Sequence, residues 1–184
     1  MKEKRIAEIR ANASVEAESL IITGLPIVYD KPTQITSPAG EYTEIIRRGA
    51  LDGADISDCR LLYNHDLSKV PLARTPKTMQ LITGSAGLEM TAQLPETEEA
   101  RSVHTAVVRG DLSGMSFAFK VPQGGDSWEG RTRTIHKIEK VYELSIVPFP
   151  AYSETSVEAR SALQKYNNRV GSVLIKCNQI LAKE

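Results

Sequence analysis

Three side chains suited to acyl-transfer chemistry stand in or beside short apolar runs of this chain: Ser116, His65 and Glu143. Ser116 belongs to Leu112-Ser113-Gly114-Met115-Ser116-Phe117-Ala118-Phe119. Strand alternation there puts Met115, Phe117, Phe119 and Val121 on one side and Ser116, Ala118 and Lys120 on the other, leaving the hydroxyl beside a small alanine with room for a partner. His65 lies in Asn64-His65-Asp66, where the apolar strand Cys59-Arg60-Leu61-Leu62-Tyr63 ends, the kind of position that carries chemistry. Glu143 interrupts the last apolar strand, residues 141–147, and faces away from Tyr142 and Leu144. A carboxylate in so apolar a strand needs a partner.

Serine is a poor nucleophile at neutral pH until a base takes its proton, and imidazole, which titrates near ~6.5, is suited to that task. A carboxylate on the far ring nitrogen holds the imidazole in the right tautomer and stabilises the imidazolium that forms. Each residue also has a plainer explanation. A Gly-x-Ser on a strand is commonly a turn followed by a tolerated serine. Asn64 and Asp66 can bond their own backbone in a turn that leaves His65 merely exposed, and Glu143 can pair with Arg74, Arg101 or Arg109. The three candidates sit on or beside three different strands, which a closed or strongly curled sheet would bring together.

The elements that must position them follow from pattern. A chain of 184 residues, 41% hydrophobic, suits one globular domain with tails. Twenty-three basic and twenty-three acidic residues cancel, so the charge balance points to neither a nucleic-acid nor a membrane partner. Cys59 and Cys177 lie far apart without metal spacing, so neither a disulfide framework, a metal site nor a cofactor is expected. The charged start is not followed by an apolar run of signal-peptide length, which makes the cytoplasm the expected compartment.

Residues 1–18 alternate charges with alanine and isolated isoleucines and are expected as a flexible arm. From Leu20 the chain turns β-rich, with Gly24 and Pro26 marking a bulge or edge. Residues 44–48 are expected as a short helix closed by Gly49. Gly84 and Gly87 bracket a hairpin turn, and Leu88, Met90, Ala92 and Leu94 alternate with polar residues as a half-buried strand. Residues 96–109 form the strongest helix, with Ala100, Val103 and Val107 at spacings of three and four. Residues 123–130, rich in glycine and holding Trp128, are expected as loop, and 131–138 and 141–147 as strands. The domain spans 19–160. In a tail over 161–184, Leu163, Tyr166, Val170, Val173, Cys177 and Ile180 recur at the spacing of a helix that docks along a seam, weakened by Gly171.

Taken in order, Asn64-His65-Asp66, Pro71-Leu72-Ala73-Arg74, Gly114-Met115-Ser116-Phe117-Ala118-Phe119 and Glu143-Leu144-Ser145-Ile146-Val147-Pro148-Phe149-Pro150-Ala151 resemble the tailed-phage prohead protease family, over roughly residues 20–160. The resemblance implies an α+β fold: a small, mostly antiparallel β-barrel flanked by a few helices, as in herpesvirus assemblins. It implies that Ser116 is the nucleophile, His65 the base and Glu143 the third member. His136 is the alternative third member, because assemblins use a second histidine there. Ala73 and Ala118 stand where many relatives carry glycine. By the same resemblance the protein is a serine endopeptidase inside the phage procapsid, in the bacterial host cytoplasm. It would cleave scaffold protein, the major capsid protein precursor and itself, with self-association as a further expectation. The competing class is a non-catalytic β-barrel of a phage particle, of shell or tail-tube type. An α/β-hydrolase is excluded by the missing Gly-x-Ser-x-Gly elbow and the scarcity of helices.

Overall fold

Alternation of buried and exposed side chains, with Gly, Pro and Asn punctuating it, builds about half of the described residues into strands. The computed structural model describes residues 3–10, 20–37 and 40–148. In chain order these hold β1 (Glu3–Arg10), β2 (Ile21–Val28), β3 (Thr33–Ser37), β4 (Gly40–Ile46), β5 (Arg60–Tyr63), β6 (Ala73–Arg74), β7 (Met79–Thr83), β8 (Gly87–Gln93), α1 (Glu98–Arg109), β9 (Gly114–Lys120), β10 (Asp126–Glu129), β11 (Thr132–Ile135) and β12 (Lys140–Val147). The tail over 161–184 lies outside the described residues.

Eight strands form one sheet in the order β6-β5-β12-β9-β1-β2-β8-β7, and β10-β11-β4-β3 form a second. The larger sheet is antiparallel except where β5 runs parallel to β12. Its two edge strands, β6 and β7, are joined by only four residues, so the sheet must curl to bring its edges near each other at that end. No ladder joins them, and the expected closed barrel is therefore corrected to an open, curled sheet. The class is mostly β, with α1 the one helix among the described residues, rather than α+β.

Three local expectations are also corrected. Glu3–Arg10, read as part of an arm, pairs between β9 and β2, because two flanking strands offer its backbone full ladders that local composition does not reveal. Residues 44–46 belong to β4 and not to a helix, their β-branched Ile45 and Ile46 being paired in parallel with β11. Asp126–Glu129, read as loop, forms a hairpin with β11.

The helix falls where its periodicity places it. Thr97 caps it by accepting a hydrogen bond from the Ala100 amide, Glu98 and Glu99 complement its N-terminal dipole, and Gly110 ends it in the left-handed conformation. Ala100, Val103 and Val107 are its buried stripe. Leu112 follows at once, its amide bonded to the Ala106 carbonyl, so the helix end is tied to the entry of β9. The core is shared by β2, β8, β9 and β12, through Ile22, Ile27, Leu88, Met90, Met115, Phe117, Phe119, Leu144 and Ile146.

Candidate active site

β12 supplies the floor of the site, and an irregularity in it decides which side chains face which way. Val141 and Leu144 are both fully buried in the core, although three residues apart they would fall on opposite faces of a regular strand. The pairing with β9 shifts between Val141 and Glu143, a bulge that absorbs one residue and resets the alternation. Beyond it Glu143 stands opposite Ala118 and Ser145 opposite Ser116. These four residues share one face of adjacent strands, while Met115, Phe117, Leu144 and Ile146 take the other into the core. Ser116 and Ala118 are themselves fully covered, and the room expected beside the serine for a partner is taken by the imidazole of His65.

His65 reaches this face through an unusual turn. β5 runs parallel to β12, and the Asn64 amide extends the ladder by donating to the Ile146 carbonyl at 2.8 Å. Asn64 and His65 then both adopt positive φ, 51° and 57°, a conformation that Asn and His tolerate better than most side chains. The chain folds back on itself there, with the Asp66 amide bonded to the Tyr63 carbonyl. Asp66 turns away and accepts from the Ser68 amide and hydroxyl, which hold its carboxyl below the ordinary value. The expected backbone-bonding turn is thus present at Asp66, yet His65 is not left exposed.

The imidazole lies between the other two groups. Its Nδ1 is 2.6 Å from Glu143 Oε1 and its Nε2 is 2.7 Å from Ser116 Oγ. An ionised carboxylate only accepts, so it selects the tautomer with the proton on Nδ1 and leaves Nε2 to accept from the serine hydroxyl. Glu143's second oxygen accepts from Ser145 Oγ at 2.6 Å. None of the arginines offered as partners reaches it: Arg74 pairs with Asp58, Arg101 with Glu96 and Arg109 with Asp111. The buried charge is felt by Cys59, whose thiol is pushed up to about 12 by burial first and by Glu143 second.

His136 is elsewhere. It is exposed, and its Nε2 is 2.8 Å from Ser127 Oγ, so it is not joined to this group. Ser145, by contrast, is joined to the group although it is not among the candidates that the sequence marks. Its signal was available, since it stands two residues from Glu143 and therefore on the same face of the strand. Among the described residues no cluster of three or more His, Cys, Asp or Glu side chains is placed to hold a metal ion.

A hydroxyl, an imidazole and a carboxylate in line, each within 2.7 Å of the next, form the arrangement that serine hydrolases use to activate a nucleophile. Comparison with known families narrows the class: residues 6–169 match the family of caudovirus prohead serine proteases, and the chain belongs to that family. No curated protein and no solved structure matches the chain.

Proposed function

We propose that the protein is the serine endopeptidase of phage head maturation, cleaving scaffold protein and the major capsid protein precursor inside the procapsid, and also itself. The observation that carries this reading is the single imidazole ring bonded to Ser116 on one side and Glu143 on the other. In the reaction Ser116 Oγ attacks the scissile carbonyl carbon as its proton passes to His65 Nε2. Glu143 stabilises the resulting imidazolium, which then protonates the departing amine and leaves an acyl-enzyme on Ser116. Water repeats the sequence, giving its proton to Nε2 and releasing the acid. Ser116 is fully covered, whereas the His65 side chain is 16% exposed, so substrate approaches from the histidine side.

The test is cleavage of purified scaffold protein and of the chain itself. Ser116→Ala and His65→Ala should each lower the rate at least about a thousandfold, and the double variant should be little worse, because such groups act as a unit. Glu143→Gln should keep the fold and lose on the order of 10⁴-fold, having lost both the charge and the tautomer it selects. Near-parental cleavage by Ser116→Ala would overturn Ser116 as the nucleophile, and absence of cleavage by the parent would favour a structural β protein of the particle.

A further inference from the structure

Ser145 closes a ring of hydrogen bonds that a three-residue relay does not need. Its hydroxyl accepts from the His65 backbone amide at 3.1 Å and donates to Glu143 Oε2 at 2.6 Å, while Glu143 Oε1 accepts from the same histidine's Nδ1 at 2.6 Å. One fully buried hydroxyl therefore grips both the main chain that carries the base and the carboxylate that orients it. The need is physical. His65 sits in a positive-φ turn at a strand end, where its amide has left the β5 ladder and would otherwise be unpaired. Glu143 has rotatable bonds between the strand and its carboxylate, and a contact at one oxygen alone leaves the group free to swing. With Ser145 on the second oxygen the carboxylate plane is set, and with it the direction of Nε2 toward Ser116.

We propose that Ser145 is a positioning residue for the reaction, locking the backbone of His65 and the carboxylate of Glu143 into one rigid unit; this deepens the protease reading and rests on it. The competing explanation is size alone. Ser145 stands directly opposite Ser116, and a small side chain there leaves room for the imidazole above the strand pair. Alanine meets the size requirement as well as serine does, so the two explanations separate on the hydroxyl.

The experiment compares Ser145→Ala, Ser145→Cys and Ser145→Thr with the parent by peptide-cleavage kinetics and by the downfield proton resonance of His65 Nδ1–H. Folding is checked by far-ultraviolet circular dichroism. Ser145→Ala and Ser145→Cys should lower kcat roughly 10- to 100-fold with KM within about twofold, the scale of a misplaced reacting group. Their Nδ1–H signal should broaden or vanish under conditions where the parent keeps it. Ser145→Thr, which retains the hydroxyl, should recover most of the rate and the signal. Parental kcat and an unchanged resonance in folded Ser145→Ala would overturn the proposal, as would Ser145→Thr being no better than Ser145→Ala. Should Ser145→Ala fail to fold, the near-isosteric Ser145→Cys decides between the same outcomes. The resonance is independent of peptide cleavage, so a protein in which Ser116→Ala leaves cleavage intact would sink the reading of Ser116 as nucleophile while still testing the role of Ser145 in holding His65.

Discussion

Burial acts on single residues at this site in opposite ways, and the difference lies in their partners. Glu143 is 7% exposed yet has a donor on each carboxylate oxygen, so its charge is met within the fold. Cys59 is fully buried beside that charge with its thiol raised to about 12, which keeps it neutral and inert across the physiological range. Iodoacetamide at pH 8 should therefore leave Cys59 unmodified in the native protein and alkylate it after denaturation, as read by peptide mapping; rapid native labelling at Cys59 would contradict the burial. The linkage has a definite sign. Folding raises this thiol from 9.0, so the unfolded chain loses the proton first, and the stability gained by keeping the thiol neutral is lost as pH climbs from 9.0 toward about 12.

At the scale of elements, two irregularities in otherwise regular strands do the positioning. The β12 bulge turns Glu143 and Ser145 onto the serine face, and a second irregularity in β2, between Gly24 and Ile27, accompanies its pairing with β8. Gly87 opens β8 at φ 154°, and a Cβ there would run into the Ile27 carbonyl oxygen and the backbone of Val28. Neither neighbour is a flexible side-chain tip that can yield. Gly87→Ala is therefore expected to destabilise the protein by about 2 kcal/mol or more, measured by urea denaturation. A midpoint within experimental error of the parent would show that the β2 and β8 backbones are not held as described.

On the whole-molecule scale, the centre of the large sheet depends on the first residues of the chain. β1 is the strand between β9, which carries Ser116, and β2, which leads into the β8 and β7 half. Ile6 stands opposite Ser116 in that pairing. Deleting residues 1–10 should thus strip a ladder from both neighbours and lower the melting temperature sharply, with loss of cooperative unfolding. A detached arm would be removable without consequence, so an unchanged melt of the shortened chain would restore that interpretation.

Local pattern was enough for the helix over Glu98–Arg109, whose buried stripe, cap and terminal glycine are all nearest-neighbour features. It was enough too for β8, where Leu88, Met90 and Ala92 alternate with less buried residues, and for β9, where Met115, Phe117 and Phe119 alternate with Ser116 and Ala118 in sequence although both faces are buried. It marked Ser116, His65 and Glu143 one at a time, because a hydroxyl, a turn histidine and a strand carboxylate each stand out against an apolar run. Tertiary structure decided the remainder. His65 meets Ser116 across 51 residues of chain and Glu143 across 78, and those meetings depend on strand order, on the parallel β5–β12 register and on one bulged residue. The same long-range pairing made β1 a strand, separated His136 from the group and joined Ser145 to it. Side-chain type and spacing specify what each residue can do, whereas ladder register, which is set by contacts distant in the chain, specifies with whom it does it.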